Sequence, residues 1–121
     1  MNAYNVAHNQ KINDKERSIS LEDFTQKVIR HIQTIPFGHV ATYGQIAKVS
    51  GNNRGARQVA RILHTMSQKH QLPWHRVVNA KGEISHTGSE QRELLEMEDV
   101  EFSLQGKINL THYQYQFPQE D

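Results

Sequence analysis

Residues 42–63 carry the pattern of a helix-turn-helix, and no other feature constrains the fold of this chain as strongly. Thr42 and Gln45 have capping-box spacing, in which each side chain bonds the other residue's free backbone N–H, so a helix is predicted to start there. Ser50-Gly51-Asn52-Asn53 is turn chemistry and ends this helix. The next helix is predicted to begin near Asn53 or Arg54. Helix pairs that bind nothing also satisfy this pattern.

Both helices of the pair have one apolar face. In the first, three residues are predicted to face inward: Ile46, Ala47 and Val49. In the second, the predicted buried stripe has four residues: Ala56, Val59, Ala60 and Leu63. Arg54, Arg57 and Arg61 stand at positions i, i+3 and i+7, so they form an arginine row on the opposite side. An outward arginine row on the second helix is typical of a DNA-binding helix-turn-helix.

The remaining elements predict a mainly α fold, a small helical body with a helix-turn-helix and a small β-hairpin. Ser20 has the position of an N-cap, and Pro36-Phe37-Gly38 ends the helix that follows. Apolar residues recur in that helix every three or four positions: Leu21, Phe24, Val28, Ile32 and Ile35. Val77-Val78 and Glu83-Ile84 flank a turn in which Gly82 supplies a positive φ, so they predict the hairpin. Ser89 caps a fourth helix, and three aromatic residues are predicted to pin the C-terminal segment: Tyr113, Tyr115 and Phe117.

The length of 121 residues suits one domain of ordinary size. Residues 1–19 are polar and are predicted to form a disordered arm, residues 20–117 the domain, and residues 118–121 a short tail. No apolar run is long enough for a membrane span, and the N-terminus lacks the apolar core of a signal peptide. We therefore expect a cytoplasmic protein, with a monomer as the simplest state.

The formal net charge of +1 masks a strong segregation of charge. Between Phe24 and Gly82 there is no Asp or Glu, whereas the flanks hold all 13 acids. The acid-free segment holds nine of the 14 Lys and Arg residues: Lys27, Arg30, Lys48, Arg54, Arg57, Arg61, Lys69, Arg76 and Lys81. Neutralising phosphates releases condensed counterions, so such a segment is typical of a polyanion-binding surface. A solvated basic surface is the alternative interpretation.

Pro73-Trp74-His75-Arg76-Val77-Val78 has the outline of a reactive-cysteine motif with tryptophan in the place of the sulfur. The sequence has no cysteine, which excludes disulfides, thiolate metal sites and thiol catalysis. A histidine beside a nucleophile can act as its base, but His75 has no nucleophile next to it. No Gly-x-Ser-x-Gly and no paired-histidine metal motif is present, so we expect neither a metal nor a cofactor. The motif predicts a site that recognises a substrate without consuming it.

Two residues have two interpretations each. Trp74 is either a core residue or one wall of a pocket for a planar base, where stacking contributes about 1–3 kcal/mol. Arg57 is either a solvated or phosphate-contacting arginine, or a side chain that enters the duplex and fills the gap left by an extruded base.

Five segments in order resemble the DNA-binding, active-site domain of the O6-alkylguanine-DNA alkyltransferases. They are Ile35-Pro36-Phe37-Gly38, Thr42–Ala47, Gly51–Val59, Pro73–Val78, and Gly82 with Ser85. With tryptophan in the acceptor position, the pattern is most similar to the alkyltransferase-like proteins, over roughly residues 20–117. The resemblance implies a winged-helix-like helical bundle whose helix-turn-helix enters the minor groove of DNA.

The resemblance also implies roles for individual residues. Tyr43 would press on the phosphate 3′ of a lesion, and Arg57 would stay in the stack in place of the flipped nucleotide. The lesion pocket would be lined by Tyr43, Pro73, Trp74, Val77, Val78 and Ser85. DNA contacts would come from Tyr43, Gln45, Arg54, Ala56, Arg57 and Arg61. The motif loop would be held in shape by His75, Arg76 and Glu98.

The implied function is recognition without repair. The protein would bind O6-alkylguanine in double-stranded DNA, bend the DNA, flip the nucleotide and mark it for nucleotide excision repair proteins. Some relatives have an arginine a few residues beyond the hairpin glycine, whereas this chain has Ser85-His86-Thr87-Gly88 and no arginine before Arg92. A sequence-specific winged-helix regulator is the alternative. A third hypothesis is an enzyme that acts through another residue, such as a glycosylase. The absence of a carboxylate near the motif loop in sequence argues against it.

Overall fold

The described part of the chain is mainly helical, as predicted, with one small sheet. The computed structural model describes residues 23–84 and 89–119. Its elements in chain order are α1 (23–34), β1 (Ala41–Thr42), α2 (Tyr43–Val49), α3 (Ala56–His70), a 3-10 turn (Trp74–Arg76), β2 (Val77–Val78), α4 (Glu90–Met97) and α5 (Leu110–Tyr113). None of the described helices combines the length and the apolarity needed to cross a bilayer.

The apolar face of α1 forms one side of the core. Val28, Ile32 and Ile35 have no exposed surface, and Ile29, which the periodic pattern did not include, is also buried. The helix stops before Gly38, which has a φ of 80° and so adopts the left-handed region that glycine tolerates. The predicted arm, residues 1–19, and the predicted cap at Ser20 lie outside the described residues.

The helix-turn-helix forms with its predicted local chemistry. Thr42 Oγ1 accepts from the Gln45 N–H at 3.0 Å, and Gln45 Oε1 accepts from the Thr42 N–H at 3.1 Å, which completes the capping box. Gly51 ends α2 with a φ of 105°. Helix α3 begins at Ala56, later than predicted, because the Asn52 side chain and carbonyl accept from the next backbone N–H groups and prolong the turn through Gly55.

The buried face of α3 differs in part from the prediction. Val59 and Leu63 are buried, and Ile62 and Met66 complete the stripe at helical spacing. Ala60 is exposed and Ala56 is half-buried, because they lie to the sides of this stripe. Val49, predicted to face inward, is 37% exposed at the last position of α2.

The small sheet is present, but its pairing is not the predicted hairpin. Strands β1 and β2 run parallel, with Ala41 opposite Val77 and Thr42 opposite Val78. The turn after β2 forms, and Gly82 has a φ of 75°. After the turn, the Glu83 carbonyl accepts from the Asn79 N–H at 3.1 Å, but Glu83-Ile84 forms no strand with β2. The Gly82 carbonyl accepts from the Ile108 N–H at 2.8 Å. A Cβ at Gly82 would collide with the Ile108 carbonyl, so this contact requires glycine.

The two strands lie between two apolar clusters. The first cluster joins α1, α2 and α3, and the second is formed by Val40, Val78, Leu95, Val100 and Ile108. Val77 belongs to the first cluster and Val78 to the second, so β2 is anchored on both sides. The C-terminal segment is pinned as predicted, since Tyr115 and Phe117 pack on the first cluster and Tyr113 on the second.

Candidate nucleic-acid interface

A buried carboxylate anchors the loop that carries the tryptophan motif. Glu98 Oε2 lies 2.7 Å from His75 Nε2. Arg76 donates to the same carboxylate from Nε at 3.0 Å and from Nη2 at 2.8 Å, a bidentate arrangement. The Gly38 N–H donates to Glu98 Oε1 at 2.9 Å. The structure therefore brings together the three residues predicted to support the loop, His75, Arg76 and Glu98.

The charge of Glu98 is strongly stabilised in this setting. Burial by itself would raise its pKa, but hydrogen bonds from Arg76, the Gly38 N–H and His75 together lower the pKa to about 2. The side chain is only 8% exposed and stays ionised at neutral pH. Arg76 Nη1 also donates to the Ile35 carbonyl at 2.8 Å. One ion pair thus connects the motif loop to the end of α1 and to α4.

Sequence reasoning missed two residues that hold this loop. Gln91 is buried in α4, and its Nε2 donates to the carbonyls of His75 and Val77 at 3.1 and 3.0 Å. In the sequence Gly38 was recognised only as a helix stop, yet its N–H donates a hydrogen bond to the Glu98 carboxylate. A glutamine in a helix rich in polar residues carries no signal that marks it as buried.

A groove of about 650 Å³ opens beside the motif loop. Its lining residues come from the loop and from the end of α3: Ser67, Gln68, Gln71, Leu72, Pro73, Trp74 and His75. Trp74 is half-buried, and it packs against the first core cluster while also lining this groove. Trp74 is therefore in contact with the core and also lines a groove, and the stacking of a planar base on its ring stays a prediction.

The other residues predicted for the lesion pocket are placed differently. Pro73 lines the groove beside Trp74. Val77 and Val78 are each 1% exposed, because Val77 packs into the first cluster and Val78 into the second, and neither residue lines the groove. Tyr43 packs on the first cluster and is not among the groove residues; burial raises the pKa of its hydroxyl. Ser85 lies outside the described residues.

The arginine row is exposed and spans two elements. Arg57 and Arg61 lie one turn apart on α3, whereas Arg54 lies in the loop before the helix. The first turn of α3 has no acidic residue, so the positive end of the helix dipole adds to this charge. Ala56 is the first residue of α3 and is half-buried. In sequence it lies between Arg54 and Arg57. This face suits contact with phosphates.

Gln45, predicted to contact DNA, has an internal role in the structure. Its Nε2 donates to the Tyr115 carbonyl, and its Oε1 accepts from Gln114 Nε2 at 2.8 Å as well as from the Thr42 N–H. Both ends of the amide therefore hold the C-terminal segment against the helix-turn-helix, and a DNA contact by this side chain stays a prediction. Among the residues that the structure describes, no three His, Asp or Glu side chains converge to hold a metal ion.

Comparisons with known proteins agree with this geometry. Residues 23–100 match the family model for the DNA-binding domain of 6-O-methylguanine DNA methyltransferase. A DNA base-flipping protein of Escherichia coli (strain K12) is 40% identical over 111 residues, which cover 89% of this chain and 86% of that protein. Alkyltransferase-like protein 1 of Schizosaccharomyces pombe is 38% identical over 104 residues, which cover 78% of this chain and 96% of that protein.

Solved structures show the same relationship. The crystal structure of S. pombe Atl1 in complex with damaged DNA containing O6-carboxymethylguanine matches with a TM-score of 0.69 at 36% identity, covering 78% of this chain and 96% of that one. The O6-methylguanine methyltransferase of Mycobacterium tuberculosis matches with a TM-score of 0.51 at 33% identity, covering 63% of this chain and 48% of that one. Position 74 holds a tryptophan, and the sequence contains no cysteine. The chain therefore belongs to the 6-O-methylguanine DNA methyltransferase family, as an alkyltransferase-like member that lacks the acceptor cysteine.

Proposed function

We propose that this protein recognises O6-alkylguanine in duplex DNA by flipping the damaged nucleotide, and that it does not repair the base. The observation that carries the proposal is Trp74 in the wall of the groove, at the position of an acceptor cysteine. Alkyl transfer requires a thiolate that takes the alkyl group, and an indole ring cannot do this. The groove can therefore hold a base without changing it.

Nucleotide flipping costs free energy, which contacts at the extruded base and at the gap it leaves must offset. Extruding a base costs a few kcal/mol, and stacking of that base on Trp74 in the groove offsets part of this cost. Arg57 is exposed near the start of α3 and would fill the gap in the stack, while Arg54 and Arg61 contact phosphates. In this proposal the helix-turn-helix docks in the minor groove, and Tyr43, the first residue of α2, acts at the phosphate 3′ of the lesion. A relative named for base flipping and a solved relative in complex with damaged DNA support flipping as the mode of recognition.

The proposal extends to the fate of the complex. A protein that holds a damaged base without removing it leaves the repair to another activity. We therefore propose that the complex marks the lesion for nucleotide excision repair proteins, and that the protein acts as a monomer. The cytoplasmic location expected from the sequence stays a prediction.

A binding titration on matched duplexes tests the proposal directly. A duplex with one O6-methylguanine should bind about tenfold more tightly than the same duplex with guanine, the scale expected from base stacking. Mass spectrometry of the protein after incubation should show no added methyl group. Equal affinity for the two duplexes at the same moderate salt would overturn the proposal, and a reproducible motif selected from random undamaged DNA would favour a sequence-specific regulator instead.

Replacing Trp74 with alanine should reduce the preference for the O6-methylguanine duplex about tenfold, because the stacking surface is lost. Affinity for undamaged duplex should change little, since the exposed arginines of the helix-turn-helix remain. Trp74→Phe keeps an aromatic ring and should restore much of the preference. Because Trp74 also packs on the core, the unfolding midpoint of each variant is measured alongside. An unchanged preference in a folded Trp74→Ala protein would show that Trp74 does not contact the flipped base.

A further inference from the structure

The groove beside Trp74 has a second wall, formed by the last turn of α3. Ser67, Gln68 and Gln71 give this wall three polar side chains, and no carboxylate is among the residues that line the groove. The wall is fixed to the motif loop through the backbone. The Leu72 N–H donates to the Ser67 carbonyl at 2.8 Å, and the Trp74 N–H donates to the Leu72 carbonyl at 2.7 Å. These bonds fix the backbone of the helix end relative to Trp74, and the side chains of Gln68 and Gln71 are exposed there.

Gln71 adopts an uncommon backbone conformation for its side chain. Its φ of 52° and ψ of 48° lie in the left-handed region, at the helix end where a glycine usually stands. A residue with a Cβ is less stable than glycine in this conformation. The chain nevertheless places a long carboxamide here, and that side chain lines the groove. The left-handed residue ends α3 and directs the chain into the motif loop.

The chemistry of the transferring relatives locates the adduct within the groove. For transfer to occur, an acceptor sulfur at position 74 would have to contact the alkyl carbon bonded to O6, since that carbon–oxygen bond breaks as the new carbon–sulfur bond forms. The O6 substituent of a flipped guanine must therefore point to the surroundings of residue 74. In this chain those surroundings include Gln68 and Gln71, and the groove of about 650 Å³ has more room than a methyl group requires.

We infer that Gln68 and Gln71 favour O6 substituents that carry a hydrogen-bonding group over alkyl substituents of the same size. A carboxamide offers two donors and one acceptor, so it can bond a hydroxyl or a carboxylate on the adduct. An alkyl group in the same place would displace water from the amide without replacing its hydrogen bonds. This inference rests on the proposed function and names the class of lesion that the same site prefers.

The test compares two adducts of nearly equal shape, O6-(2-hydroxyethyl)guanine and O6-propylguanine, in the same duplex, with O6-methylguanine and guanine as references. The wild-type protein should bind the hydroxyethyl duplex about fivefold more tightly than the propyl duplex, the scale of one net hydrogen bond. The double variant Gln68→Ala, Gln71→Gly should bind the two equally and still prefer O6-methylguanine to guanine. Alanine suits the helix and glycine suits the left-handed position, so the variant should fold at least as well.

Gln105→Ala provides the matched control, because Gln105 is exposed and does not line the groove. It should leave the hydroxyethyl-to-propyl ratio unchanged. Equal binding of the two adducts by the wild-type protein would overturn the inference, as would an unchanged ratio in the double variant. Either result, with the O6-methylguanine preference intact, leaves the proposed function standing. No preference for any modified duplex over guanine would overturn both.

Discussion

Replacing Glu98 with alanine should lower the free energy of unfolding by about 3 kcal/mol, the scale for removing one partner of a buried ion pair. The variant leaves the guanidinium of Arg76, the imidazole of His75 and the N–H of Gly38 without their shared acceptor. Urea unfolding followed by fluorescence of Trp74, the sole tryptophan of the sequence and a neighbour of His75, measures the change.

Glu96→Ala serves as the control for this experiment. Glu96 lies in the last turn of α4, two residues before Glu98, and pairs with Arg92 at 3.4 Å, but both side chains are about half exposed. An exposed pair of this kind contributes about 0.5 kcal/mol or less. If the two variants unfold at the same urea concentration, the carboxylate of Glu98 is not the anchor of the motif loop.

The contribution of Glu98 should also depend on pH in a defined direction. Its pKa is lowered from 4.5 to about 2 in the folded protein, so the native state resists protonation more than the unfolded chain does. The stabilisation is fully present above pH 4.5 and is lost as the pH falls towards 2. The stability difference between wild type and Glu98→Ala should therefore narrow over this range. A constant difference would contradict the lowered pKa.

Replacing Arg57 with alanine should weaken binding to the O6-methylguanine duplex about thirtyfold. This corresponds to about 2 kcal/mol, in the range for one side chain stacked against bases. The loss should exceed the loss for undamaged duplex, because the gap left by an extruded base exists only in the flipped complex. Fluorescence of 2-aminopurine placed next to the lesion gives a separate readout, since it increases when the neighbouring base leaves the stack.

Arg61→Ala is the matched control, one turn further along the same exposed face of α3. A phosphate-contacting arginine should weaken both duplexes by a similar factor and lower the salt dependence of binding. Arg57→Lys keeps the charge but lacks the planar group that stacks, so it should behave more like the alanine variant. If Arg57→Ala and Arg61→Ala change both duplexes alike, Arg57 contacts phosphate only.

The features that could be predicted from the sequence are those with local causes. The capping box at Thr42 and Gln45 and the left-handed glycines at the turns depend on a few adjacent residues, and the structure contains them. The motif segments were also sufficient to identify the family. The hairpin was wrong in its pairing because Val77-Val78 found a partner far away in sequence, at Ala41-Thr42.

No local sequence pattern predicts which residues form the groove wall. Gln68 and Gln71 belong to a polar helix end with the composition of an ordinary solvated surface, and only the position of Trp74 beside it assigns them the proposed role. Val77 and Val78 do not line the groove, although they belong to the same motif, because a motif shows which residues are adjacent and not which way their side chains face. Both valines are buried because an apolar cluster covers each face of β2.

The parallel pairing of β1 and β2 fixes the position of the helix-turn-helix relative to the tryptophan motif before DNA binds. Thr42, which caps the first helix of the helix-turn-helix, lies directly opposite Val78 at the end of the tryptophan motif. The helix-turn-helix and the tryptophan motif are thus joined directly by backbone pairing between β1 and β2. In the proposed complex, a tilt of α2 and α3 on a duplex would therefore move the groove as well. The distance from the bound DNA strand to the flipped base would then stay constant.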